Sequence, residues 1–197
     1  MVPELKFQEF RKELKNLEKI GKGWRGIVYR AIWKGKTVAV KVANRPESRK
    51  AIQKEAKILE HLKGKSGYPQ IMLSGEDFFV YNFIKGKTLN KANLENVGKK
   101  KRLYRYILEK AFELDMLGIR KNEFGYLGKN VLIDEKGEIY MIDFERGMFS
   151  ERPSNLTQFM QLLVREGFLN REEALSLGKR YRHDKEGVFK EILKRLK

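Results

Sequence analysis

Three glycines in the spacing Gly21-x-Gly23-x-x-Gly26, with Val28 two residues further on, constrain this chain more than any other feature. A glycine carries no Cβ, so a backbone built this way turns tightly and lies close over a bulky anion such as a phosphate. Taken alone, the pattern is equally a flexible turn. A dinucleotide-binding fold would need a helix immediately after the third glycine. Here Ile27-Val28-Tyr29-Arg30-Ala31 is strand-like, and Trp33 to Val42 reads as a hairpin around Lys34-Gly35-Lys36. Within that hairpin Lys41 interrupts the run Val38-Ala39-Val40-Lys41-Val42, 15 residues beyond Gly26. A lysine so placed points either into a pocket or out to solvent.

The rest of the chain follows the same logic of period and punctuation. Leu5, Phe10, Leu14 and Leu17 recur near helical spacing and predict an amphipathic opening helix. Ser48 to Leu62 has helix periodicity and carries Glu55; Ile71 to Leu73 and Asp77 to Phe83 read as strands. Lys85-Gly86-Lys87 suits a hinge. Beyond it, Arg102 to Leu117 is a helix ended by Gly118. Val131 to Asp134 and Glu138 to Ile142 form a hairpin around Lys136-Gly137, and Asn155 to Val164, Arg171 to Tyr181 and Val188 to Leu196 supply short helices. This order predicts an α+β fold of two lobes in one domain: residues 1–84 with a small antiparallel sheet, and residues 85–197, mainly helical.

A third motif joins the glycines and Lys41. Asn130 opens Asn130-Val131-Leu132-Ile133-Asp134, and 13 residues later Asp143 opens Asp143-Phe144-Glu145-Arg146-Gly147 across the predicted hairpin. In this order the motifs resemble the protein-kinase-like superfamily, from about Lys19 to Phe149. The resemblance implies ATP and Mg²⁺: Gly21, Gly23, Gly26 and Val28 over the nucleotide, Lys41 on its α- and β-phosphates and Glu55 pairing with Lys41. Asn130 and Asp143 would then hold Mg²⁺. The Asp-Phe-Glu-Arg-Gly form is closer to atypical, non-peptide kinases. With the small size and basic charge, the chain resembles the compact archaeal tRNA kinases that phosphorylate an internal ribose 2′-hydroxyl at uridine 47.

The catalytic loop departs from the kinase pattern. Five residues before Asn130, where a catalytic aspartate is expected, stands Gly125. Aligned from its front, Lys121-Asn122-Glu123-Phe124 takes that place, making Glu123 the candidate base or else a surface loop residue; Asp115 is the substitute. Fifty residues follow Gly147 without an Ala-Pro-Glu motif, which speaks against an extended peptide substrate, and Ser154 or Asn155 suits the cap of the next helix.

Charge points to the partner. The net charge is +17, and it divides almost evenly, +9 in residues 1–84 and +8 in 85–197, so it belongs to the folded body. A positive surface attracts polyanions. Lys99, Lys100, Lys101, Arg102 and Arg105 form one cluster, Lys179, Arg180 and Arg182 a second, and these are candidate contacts to tRNA, though charge runs also simply solvate a face. A charged fraction of 35% also suits proteins from hot environments. No cysteine is present, so a disulfide-linked partner is excluded. No apolar run reaches bilayer length and the first residues lack signal-peptide character, so a cytoplasmic protein off the membrane is expected. A Ser/Thr protein kinase and a non-catalytic nucleotide- or RNA-binding scaffold remain open alternatives, as does ATP against GTP.

Overall fold

The computed structural model describes residues 5–91 and 97–196, the side chains of Lys91 and Val97 excepted. The fold is mixed α and β, with an antiparallel sheet in the N-terminal part and helices in the C-terminal part. Two compact units emerge: residues 1–86 with 140–147, and residues 87–139 with 148–197.

The first unit opens with a single helical turn, α1 (Phe7–Phe10), extended by a 3₁₀ turn at Arg11–Glu13. The long opening helix expected through Leu17 does not form. Leu17 lies instead in β1 (Lys15–Lys22), which pairs antiparallel with β2 (Gly26–Trp33). Asn16, with φ of +51°, stands in the left-handed region beside an irregularity of this edge strand. The apolar residues that mimic helical spacing serve one sheet face: Leu5, Phe7, Leu14 and Leu17 pack on Phe10, Trp33, Val38, Val40, Val42, Phe78 and Val80. Phe10 stacks on Phe78 at 4.8 Å, and the Trp33 indole N–H donates to Glu13 at 2.9 Å. Tertiary packing has overridden a weak local preference.

From β2 the chain turns at Lys34 and Gly35, both at positive φ (48° and 74°), into β3 (Lys36–Ala43). Two successive left-handed residues match the right-handed twist of a two-residue hairpin. After α2 (Arg49–His61) come β4 (Ile71–Ser74) and β5 (Phe78–Asn82), completing a sheet of order β1-β2-β3-β5-β4. Strand alternation then sorts β3: Val38, Val40 and Val42 join the aromatic cluster, so Ala39 and Lys41 face the other way.

The second unit takes over within the short strand β6 (Gly86–Thr88) and is built on α3 (Val97–Met116), which starts five residues before the expected Arg102 and so carries the basic cluster Lys99–Arg102 in its first turns. Then follow β7 (Ile119–Arg120), β8 (Val131–Asp134), β9 (Ile139–Met141), whose last two residues already belong to the first unit, and β10 (Met148–Phe149), paired with β7. Asp134 and Gly137, at φ of +83°, close the β8–β9 turn. Helices α4 (Asn155–Arg165), α5 (Arg171–Tyr181) and α6 (Lys185–Arg195) complete the unit. Asn170 and Glu173 form a reciprocal capping box on α5, and Asp184 caps α6 through Gly187 N–H at 2.8 Å. No described helix is long and apolar enough to cross a membrane.

Ser154 makes no side-chain cap on α4. The orphan amides there are met by Asp115 of α3, which accepts from Asn155 N–H at 2.9 Å, Leu156 N–H at 3.0 Å, the Asn155 amide at 2.8 Å and the Tyr181 hydroxyl at 2.8 Å. Asp115 is buried, and burial pushes its carboxyl above the usual range against the pull of these donors. With four donors engaged, Asp115 staples α3 to the start of α4 and to α5.

Candidate active site

In the first unit the glycine turn and β3 converge on Lys41. Gly23 N–H donates to Gly26 C=O at 2.8 Å, closing the turn. Val28 stands opposite both Gly21 on β1 and Lys41 on β3. A Cβ on Gly26 would come within 3.2 Å of Ile52 Cδ1 and Val42 O and 3.3 Å of Lys41 Cε, so a side chain there would press on the backbone and on the lysine stem.

Lys41 is 7% exposed. Its ammonium donates to Glu55 Oε2 at 2.7 Å and to Asp143 Oδ1 at 3.3 Å, and Glu145 Oε2 lies 3.8 Å away. Glu55 occupies the buried stripe of α2 with Ile52, Ala56 and Leu59, and is 3% exposed. Its second oxygen accepts from Phe144 N–H at 3.1 Å. Burial alone would lower the Lys41 pKa, but Glu55 and Asp143 together outweigh it and hold the lysine charged. For Glu55, burial pushes the carboxyl upward while Lys41 and the Phe144 amide pull it back. The arrangement is a fixed, desolvated cation with one buried counter-charge and one accessible carboxylate.

That accessible group is Asp143, whose side chain is 47% exposed. It sits just past β9 with φ of +60°, a left-handed conformation that aspartate tolerates better than most residues. Phe144 behind it is fully buried, in edge contact with Tyr68 at 6.0 Å, and anchors the turn. Sequence reading gave Glu145 and Arg25 no role, yet they join this site. Arg25, at the glycine turn, lies 3.8 Å from Glu145 Oε1 and donates to Glu145 C=O at 3.5 Å. The available signal was that Glu145 stands two residues beyond Asp143 on the same motif.

Toward Mg²⁺ the first unit presents one accessible hard oxygen donor, the Asp143 carboxylate. Among the described residues no group of three or more Asp, Glu or His is placed to hold a metal ion by itself. Mg²⁺ characteristically takes one or two protein oxygens and completes its shell with water and phosphate.

The other candidates lie in the second unit. Asn130 is buried, and its side-chain amide donates to Tyr126 C=O at 3.3 Å. Glu123 follows Asn122, which is at φ of +68°. Its Oε2 lies 3.6 Å from Nζ of Lys121, a lysine only 1% exposed, whose backbone N–H donates to Asn155 Oδ1. Of the basic clusters, Lys100 pairs with Glu166 and Arg105 with Glu109, while Arg180 pairs with both Glu191 and Asp184. These three are already neutralised on the protein, which weakens their candidacy as contacts; Arg102, Lys179 and Arg182 are exposed.

No family model matches the chain. Over 141 residues it is 26% identical to putative serine/threonine-protein kinase YrzF of Bacillus subtilis (strain 168). The match covers 72% of this chain and 64% of that relative, less than two thirds of its length. This likeness supports a distant kinase-like relationship at superfamily level.

Proposed function

We propose that the chain is an ATP- and Mg²⁺-dependent phosphotransferase whose acceptor is an internal ribose 2′-hydroxyl of tRNA, at uridine 47 by the family resemblance. The observation that carries the phosphotransferase reading is Lys41, desolvated and held between Glu55 and Asp143 beside the glycine turn. A pre-oriented cation there suits the α- and β-phosphates, and its positioning costs nothing at the moment of reaction. Asp143 and Asn130 would hold Mg²⁺, which when bound would neutralise phosphate charge. Glu123 would orient the acceptor hydroxyl and take its proton as the new O–P bond forms and the bond to the β-phosphate oxygen breaks. The net charge of +17 favours RNA as the acceptor.

The name of the bacterial relative favours a second reading, a Ser/Thr protein kinase built on the same nucleotide site. Incubation with γ-labelled ATP, separately with tRNA and with generic protein substrates, separates the two. Label should enter tRNA internally, and a 2′-deoxy substitution at the modified nucleotide should block it. Efficient labelling of protein with none in tRNA would establish the second reading in its place.

A further inference from the structure

Helices α4 and α5 enclose a groove of about 650 Å³. Its floor is apolar, with Met160 and Val164 from α4 and Leu175 from α5. Arg171, Lys179 and Arg182 line it from the α5 side. Arg171, Leu175, Lys179 and Arg182 recur at intervals of four, four and three, which places them on one helix face. No carboxylate lines the groove, and none of its three cations has an ion-pair partner among the described residues. Neighbouring cations are treated differently by the fold. Arg180, one step off this face, is tied to Glu191 and Asp184, and Arg195 to Glu173. Leu175 is 60% exposed and so open to a ligand in the groove.

We infer that this groove docks a single-stranded segment of RNA, its phosphates on Arg171, Lys179 and Arg182 and a base on the Met160–Val164–Leu175 floor. The inference rests on the RNA-kinase reading for the identity of the polymer and adds where the polymer is held. Cations spread over about 16 Å of helix match successive phosphates better than one small anion. An apolar floor between them matches a polymer that alternates charge with planar, weakly hydrated rings. A second copy of this chain, itself at +17, is a poor occupant for a cationic groove.

The test uses the full chain, a fluorescein-labelled oligouridylate and unfractionated tRNA, with anisotropy read across 50 to 200 mM salt. Combined Arg171→Gln, Lys179→Gln and Arg182→Gln should weaken binding about tenfold or more and lower the log–log salt slope by about 2, at about 0.7 per lost phosphate contact. Leu175→Ala should weaken binding about threefold or more with the slope unchanged, a result that loss of charge cannot produce. Mg²⁺-ATP affinity should be that of the parent, and far-UV circular dichroism should report that the helices around the groove remain folded. A control removing equal charge from the first unit, Lys12→Gln, Lys36→Gln and Lys63→Gln, should bind RNA more tightly than the groove variant. Equal losses in control and groove variants would overturn the groove, as would parent-like RNA binding by the groove variant or preferential retention of polyglutamate by the parent. If the parent labels tRNA and the groove variant does so with the same KM, the groove falls and the RNA-kinase reading stands. If the parent neither binds nor labels RNA, both fall.

Discussion

Lys41→Met removes the ammonium and nearly preserves the side-chain volume, leaving Glu55 buried with a single backbone donor from Phe144. Stripping one partner from a buried ion pair costs about 3–5 kcal/mol. The carboxyl has an escape, because without Lys41 the largest force holding it down is gone and burial raises it further. A carboxyl with its folded pKa above its unfolded value costs nothing in the acid range, and the penalty grows as pH rises between the two values. Each pH unit in that window removes about 1.36 kcal/mol until the folded pKa is reached. The variant should therefore melt close to the parent at pH 5 and well below it at pH 8. At about 2–4 °C per kcal/mol, the full penalty lowers Tm by roughly 6–20 °C. Both tryptophans, Trp24 and Trp33, lie in the first unit, so intrinsic fluorescence reports its melting specifically. Adding Glu55→Gln should restore most of the lost Tm and flatten the pH dependence, while phosphoryl transfer stays abolished in both variants. A pH-independent penalty, or a double variant no more stable than Lys41→Met, would refute the account of the pair.

Asp143→Ala should abolish transfer while shifting Tm by only a few degrees, since its carboxylate is half-exposed; calorimetric titration should show lost Mg²⁺ dependence of nucleotide binding. Glu123→Gln should lower kcat about 10²-fold with nucleotide affinity unchanged, and an unaltered kcat would remove Glu123 from the chemistry. Asp115→Asn turns one acceptor into a donor against Leu156 N–H and the Tyr181 hydroxyl, and should cost about 2–4 kcal/mol in urea denaturation followed by far-UV circular dichroism. Gly26→Ala should weaken nucleotide binding and lower stability by about 1–3 kcal/mol in urea denaturation, because its Cβ would press on Val42 O and Ile52 Cδ1 at 3.2 Å.

The sequence made the sheet readable because hairpin signals are local: Lys34-Gly35 could hardly be anything but a turn between two strand-like runs. The short helices α4 and α5 were legible for the same reason, their apolar period being bounded by turn residues. The opening segment was not. Leu5, Phe10, Leu14 and Leu17 satisfy a helical period, yet they are claimed by a sheet face whose other half, Phe78 and Val80, lies some 70 residues on. Lys41 and Glu55 could be matched as motif positions. That burial and a second carboxylate would together fix the lysine depends on a segment 102 residues away and could not be read from β3. The stapling role of Asp115 could not be read from α3 because its partners, Asn155 and Tyr181, come from two later helices. Gly125 breaks the motif where the catalytic aspartate was sought, and only an alignment of the loop from its front nominated Glu123.

The discontinuity of the first unit has a consequence for biosynthesis. Residues 140–147 belong to it, separated by more than fifty residues from the rest. They supply Phe144 N–H to Glu55, and Met141 N–H to Gly67 C=O at 2.8 Å. A nascent chain that has released only residues 1–86 from the ribosome therefore has a sheet but an open seam, with Glu55 lacking the amide of Phe144 and Tyr68 its aromatic neighbour. The unit closes only after α3 and the β8–β9 turn have been synthesised. Translation thus delays assembly of the lysine–carboxylate centre until about three quarters of the chain exists, which makes the emergence of Gly147 the point at which nucleotide binding by the nascent protein should first become measurable.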